Sequence, residues 1–409
     1  MDAVLALLDV SGTLLDAEDT SPSNMSTAVE DLCGLYEGYT MQRFIIITFF
    51  SVISVFGIAG NALLMAVFWK TLPSSVYLAT LSTLDMLICL TYLLLFGVDA
   101  GFVYLKDKTL FFLYHRYIIP VFFVAKVVQF AIPFSLILIT LERYLWTTKE
   151  KTRLFFAPVF SDKGRCVTAA FIILVSMLLR MPVLLSTQVQ QYPGCTDYFR
   201  SESVSQAEWA SESYAYYFFD FHVITAVQMC FPFIVLLILN IIIIKRLLAE
   251  KREHMYASIK PRLSNFAGYK SPHQVENGGA PPTMSENYVL LEVATEVMKE
   301  SLIHRSSRDK QSQLRNAIYT MLAIVMSYLV CNGVHLFLTV LERFDSSILY
   351  DSDDPNQSSN FYIALSDTVS ICYMVSSAAR LIIYCKCNPK LRKEIRQYLT
   401  ERKKNVETS

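Results

Sequence analysis

Seven stretches of this chain, residues 44–69, 76–98, 117–145, 166–188, 221–244, 317–341 and 361–385, are each apolar over enough length to cross a lipid bilayer. A hydrocarbon core about 30 Å thick and a helical rise of about 1.5 Å per residue require roughly 20 apolar residues per span. The first, fifth and sixth stretches contain no Lys, Arg, Asp or Glu. With 409 residues, 53% of them hydrophobic, the helix bundle is itself the core, and a separate soluble domain of any size is excluded. The expected fold is an all-α membrane protein, a seven-transmembrane helix bundle with an in-plane C-terminal helix. Glu142-Arg143-Tyr144 sits at the inner end of the third stretch, where a charged pair is a candidate switch.

The formal net charge is zero, but the charges are sorted by loop. The first, third and fifth connections and the C-terminal tail hold 26 Lys and Arg, against 6 in the N-terminal tail and the other connections. Positive residues stay cytoplasmic during insertion, so the N-terminus is expected outside and the C-terminus inside. The expected organisation is an extracellular tail over 1–43, a seven-helix bundle over 44–385 with a long cytoplasmic loop at 245–316, and a cytoplasmic tail over 386–409. The two sequons, at Asn24 and Asn356, both fall on the predicted outer side and are the expected glycosylation sites. Of the nine cysteines only Cys33 and Cys195 lie in oxidising space, which predicts a Cys33–Cys195 disulfide; the alternative is two free surface thiols. The N-terminus has an apolar run with acidic flanks and no basic start, unlike a secretory signal, so the first span is expected to direct insertion.

Residues 260–284 read as a linker, and Val289, Val293 and Val297 are spaced as on an amphipathic helix or a transient one. After Asn388-Pro389, the residues Leu391, Ile395, Tyr398 and Leu399 share one face opposite a basic one, which suits a helix lying among lipid headgroups. Cys387, and with it Cys385, is the candidate for palmitoylation beside that helix.

An ionisable group at mid-membrane is unfavourable by roughly 2.5–3.5 kcal/mol on insertion scales, so Asp85, Lys126, Arg143, Arg180, Asp367 and Arg380 each need a reason. Lys126 and Gln129 are one turn apart and should face the bundle interior. Arg180, Asp220, His222, Gln228, His335 and Asp367 lie at comparable depth on other spans, and together these side chains would line a polar ligand cavity. Lys126 either pairs with Asp367 at rest or meets an anionic or carbonyl group of the ligand. The histidines lack short metal-ligand spacing, so no metal site is expected.

Seven spans with the N-terminus outside, Glu142-Arg143-Tyr144 closing the third and the in-plane helix together resemble a rhodopsin-like G-protein-coupled receptor over roughly residues 44–400. Gly60-Asn61, Leu81-Ser82-Thr83-Leu84-Asp85, Pro232, Cys331 and Tyr384 match the family's motifs. Cys331-Asn332, and a third span with no cysteine at its outer end, look like the FMRFamide-type neuropeptide receptors of invertebrates. The chain departs from the family at Val334, Asn332 and Ile172, and its seventh-span motif reads Arg380-Leu381-Ile382-Ile383-Tyr384. Losing kink-forming prolines in two helices bears on activation geometry.

The resemblance implies a heterotrimeric G protein as partner, contacted by Arg143 after release from a resting pair with Glu142. Leu314 stands near the family's acidic partner on the sixth span, so no lock across those helices is expected and basal activation should be easy. The resemblance also implies a sodium ion between Asp85 and a seventh-span asparagine, but Arg380 holds that second position. Arg380 is therefore expected to replace the ion with a fixed pair to Asp85; the alternative is an arginine reaching inward to phosphates and a protonated or hydrated Asp85.

Ala125 stands where amine receptors of the class carry an aspartate, and Met374 where an opsin needs its lysine, which disfavours monoamines and retinal. The outer segments hold 20 acidic residues against 6 basic ones, a rim that attracts cationic ligands such as a short basic amidated peptide; its ordinary reading is solubility and topology bias. Lys126 and Arg180 point the other way for the pocket floor. No internal repeat suggests a transporter, and no nucleophile, paired-acid or phosphate-loop motif suggests an enzyme. The expected partners are an extracellular peptide, a G protein and membrane lipid, with no nucleic acid and no cofactor. The competing reading is a receptor-like protein for a non-peptide ligand, or one without G-protein signalling.

Overall fold

A computed structural model describes residues 41–71, 75–146, 148, 150–246, 248–249, 315–342, 348 and 359–407. Asn24, Cys33, Asn356, Leu314 and the segment 260–303 lie outside the described residues. Seven helices are long and apolar enough to cross a membrane: Met41–Lys70, Val76–Leu105, Lys108–Trp146, Asp162–Ser186, Tyr214–Arg246, Arg315–Glu342 and Phe361–Ala378. Apolar segments facing lipid must satisfy their backbone amides internally, which is why each folds as a helix. The third span is the most buried and the fourth among the least.

Several boundaries differ from the hydropathy reading, and local chemistry explains them. The third helix starts at Lys108, well before 117, because Asp107 caps it, its Oδ1 accepting from the Thr109 and Leu110 amides at 2.8 and 3.1 Å. The second span passes through a π-helical turn, Leu93–Gly97, and stops at Lys106, the sole left-handed non-glycine among the described residues (φ 56°). The fifth span begins with an α-helical turn, Tyr214–Tyr217, and continues through two π-helical turns, Phe218–Ile224 and Ala226–Cys230. The first helix begins at Met41, so Arg43, counted above with the tail, sits in its first turn. The seventh breaks after Ala378 and resumes as Arg380–Cys387.

A C-terminal helix, Pro389–Glu407, runs beyond the expected residue 399. Asn388 Oδ1 accepts from the Leu391 amide at 3.2 Å, and Pro389 at the first position has no amide to leave unsatisfied. Leu391 and Ile395 of this helix are buried in the main core.

Between the fourth and fifth spans, strands β1 (Thr187–Gln191) and β2 (Glu202–Gln206) pair antiparallel, Thr187 opposite Gln206 and Gln191 opposite Glu202. Tyr198 and Phe199 of the connecting loop meet Phe111 of the third span tilted and edge to face, and Lys108 and Lys106 lie over their respective rings. This hairpin marks one end of the bundle; Glu142-Arg143-Tyr144 marks the other. Gly57 lets the first, second and seventh spans meet, since a Cβ there would lie 2.7 Å from Cys89 Sγ and 2.8 Å from Ala378 Cβ.

Candidate functional site

At the Glu142 end, the expected Glu142–Arg143 pair does not form. Glu142 Oε1 instead accepts from Arg165 Nη2 of the fourth span at 2.7 Å, and Arg165 Nη1 reaches Asp162 at 3.1 Å. The two-armed guanidinium suits this double contact, while Arg143, the next residue round the helix, points elsewhere. Its guanidinium carbon lies 3.7 Å from the centre of the Trp146 ring, one turn on, and its Nε makes no hydrogen bond. Tyr144 faces the fifth span, where Arg246 lies over its ring at 4.7 Å and also donates to Thr148 Oγ1 at 2.8 Å. Arg143 and Tyr384 line a cavity of about 130 Å³ together with Thr320 of the sixth span and Asn388, Leu391 and Glu394. The Tyr384 hydroxyl has no hydrogen-bond partner there; its ring meets Phe68 edge to face at 5.6 Å.

At the bundle centre, Arg380 Nη1 lies 2.9 Å from Asp85 Oδ2, with side chains only 2% and 0% exposed. Ser377 Oγ donates to the other carboxylate oxygen at 2.8 Å. Nη1 and Oδ2 approach off the hydrogen-bonding direction, so the contact is an ion pair. Asn61 donates to the backbone carbonyls of Gly57 and Ser377, both at 3.0 Å, and ties the first span to the same turn of the seventh. Ser377 and Arg380 are three residues apart, nearly one turn, across the break at Ala379, and both reach the Asp85 carboxylate.

Toward the hairpin end, the polar residues sort into separate clusters. Asp367 pairs with Arg43, accepting from Nε at 2.9 Å and Nη2 at 3.2 Å, and this corrects the resting Lys126–Asp367 pair. Arg43 reaches Asp367 because the first helix extends back to Met41 beside the top of the seventh. Lys126, 4% exposed, lies over the Phe122 ring at 5.2 Å, and Gln129 is buried one turn below. Arg180 donates to Asp220 at 3.0 Å and to Gln228, joining the fourth span to both π-helical turns of the fifth. His222 sits among the rings of Tyr217, Phe218 and Phe221. His335 Nδ1 is 3.1 Å from the Tyr373 hydroxyl, which donates to Asn332 Oδ1. Among the described residues no group of three His, Cys, Asp or Glu side chains is placed to hold a metal ion. Cys195 is disulfide-bonded, and Cys385 and Cys387 are free, half-buried thiols.

Arg43, Trp146, Arg165, Tyr373 and Ser377 were not singled out from the sequence. Arg43 and Arg165 carried a signal, as basic residues at the mouths of the first and fourth spans. Trp146, three residues after Arg143, carried a helical-spacing signal. Tyr373 and Ser377 carried none.

Seven membrane-length helices, with Glu142-Arg143-Tyr144 at one end of the most buried span and buried ion pairs between spans, are those of a multi-pass membrane protein. A family model described as 7 transmembrane receptor (rhodopsin family) matches residues 60–384, and the chain belongs to that family. No curated protein matches the chain. Membership makes it a plasma-membrane receptor, not an enzyme, that takes an extracellular ligand and signals through a G protein.

Proposed function

We propose that this receptor responds to a short amidated neuropeptide, of the kind recognised by FMRFamide-type receptors, with its N-terminus extracellular and Arg143 as the residue that engages the G protein. The observation that carries the ligand class is the excess of carboxylates, 20 against 6 basic residues, over the tail and the three connections on that side. Such a rim concentrates a cationic peptide and speeds its arrival. The peptide descends toward Lys126, Gln129, His222 and His335; its amide and carbonyl groups meet Lys126 and His335, while the Arg180–Asp220–Gln228 and Arg43–Asp367 clusters shape the walls. Tyr144, Tyr384, Asp85 and Arg380 belong to the switch between that pocket and Arg143. In this orientation Cys195 pairs with Cys33, Asn24 and Asn356 carry glycans, and Cys387 is acylated beside the C-terminal helix.

The test is calcium and cyclic AMP output from cells expressing the chain, challenged with a library of short amidated peptides beside Arg143→Ala. A peptide response that is lost in the variant supports the reading. Silence from receptor shown to be at the surface refutes the peptide and favours a non-peptide ligand or a receptor without signalling.

A further inference from the structure

We infer that Arg165 is a positioning residue of the coupling switch: by holding Glu142 it leaves Arg143 without a carboxylate, resting on Trp146 and ready to leave. The inference rests on Arg143 being the coupling residue. Glu142 has two arginines within reach, its chain neighbour and Arg165, and its one hydrogen bond goes to Arg165 at 2.7 Å, both side chains being largely withdrawn from solvent. Arg165 is held in place from its own side. Its second arm is on Asp162, Ser161 Oγ caps the helix by accepting from the Gly164 amide at 3.1 Å, and the turn there is so tight that a Cβ on Gly164 would fall 1.9 Å from the Pro158 carbonyl oxygen. A cavity of about 460 Å³ lies beside this pair, lined by Glu142, Trp146, Arg153 and Arg165 among others, which leaves Glu142 room to turn.

Arg143 is 8% exposed and, among the described residues, bonds to no carboxylate; the flat face of Trp146 at 3.7 Å is what it touches. A ring face attracts a cation without offering a hydrogen-bond acceptor, so its contact is weaker and less directional than an ion pair. Moving Arg143 to an acceptor on the G protein therefore breaks no salt bridge. The bound and resting placements of the arginine lie close in free energy, and a measurable fraction of receptors couples without ligand. Removing Arg165 returns Glu142 to Arg143 and restores a lock.

The experiment is GTPγS binding to membranes at matched surface expression, without ligand, for wild type, Arg165→Ala, Arg165→Lys, Glu142→Gln and the double variant Glu142→Gln/Arg165→Ala. Wild type is expected to show ligand-independent signal, and Arg165→Ala to lower it about fivefold to tenfold, the size of a modest population shift. Arg165→Lys keeps most of the signal. Neutralising Glu142 as well abolishes the effect, because no carboxylate remains to recapture Arg143; a merely structural defect in Arg165→Ala would persist in the double variant. Absence of basal signal in wild type, an unchanged or raised signal in Arg165→Ala, or failure of Glu142→Gln to restore it would each overturn the inference. Arg143→Ala separates the two layers. If it leaves coupling intact, the reading of Arg143 fails as well; if it abolishes coupling while Arg165→Ala changes nothing, only the role of Arg165 falls.

Discussion

Replacing Arg380 by Met should destabilise the receptor far more than its position near the end of the seventh span suggests. Asp85 is fully buried, and without Arg380 it keeps one hydrogen bond, from Ser377, to neutralise a whole charge. Stranding one partner of a buried pair is destabilising by about 3–5 kcal/mol, whereas replacing both by neutral groups of similar volume is close to neutral. At about 1–2 °C per kcal/mol for a chain of 409 residues, the single variant should melt roughly 3–10 °C below wild type. Asp85→Asn alone leaves the guanidinium buried and should lose a similar amount. The double variant Asp85→Asn/Arg380→Met should recover most of the loss, so that the two single losses do not add in the cycle, and the exchange Asp85→Arg/Arg380→Asp should recover part of it. The assay is thermal unfolding of detergent-solubilised receptor followed by a thiol-reactive fluorophore, which reports the free cysteines within the spans as they become exposed. Single variants melting within about 2 °C of wild type, or losses that simply add in the double variant, would refute the argument. So would a sodium response of wild-type ligand affinity that disappears in Asp85→Asn, because the ion and Arg380 compete for one carboxylate.

The pair joining the first and seventh spans keeps some access to solvent, with side chains 21% and 16% accessible, so Arg43→Ala should reduce stability by only about 1 kcal/mol, read from the same melting curve. Gly57→Ala should lower stability by about 1–3 kcal/mol, because the new methyl meets Cys89 Sγ and the backbone of Ala378 at 3.1 Å; Gly333→Ala, with nothing within 4 Å, should be neutral or slightly stabilising. Asn61→Ala should destabilise by about 1–3 kcal/mol, since the Ser377 carbonyl loses a buried donor between spans, and unchanged melting would show that another group takes its place. Reduction should slow the migration of wild-type receptor on a gel by breaking the Cys195 disulfide; a Cys33→Ala variant with the same shift would exclude the Cys33 pairing.

Hydropathy alone located all seven spans, because a bilayer imposes a length on any helix that crosses it. Their ends were less legible where local chemistry intervened: the Asp107 cap lengthened the third helix, and the Ser213 cap started the fifth back at Tyr214. The depth of each buried charge was also fixed by the sequence, since position along a helix sets depth at a constant rise. Depth alone did not pair Asp85 with Arg380; that expectation came from the resemblance, which put Arg380 where the family holds a partner for the second-span acid, and the structure sets the two 2.9 Å apart. Nor was depth enough to say which cation meets Glu142 or Asp367. Sequence proximity favoured Arg143, and matching depth favoured Lys126, yet Arg165 and Arg43 hold the two carboxylates. A carboxylate accepts any guanidinium or ammonium within about 3 Å, so its partner is decided by how far each helix is rotated about its axis and how closely its neighbours pack. Those quantities come from the fit of apolar side chains across the whole bundle. The sequence determined which charges enter the membrane and how deep, and only the packed helices decided which of them meet.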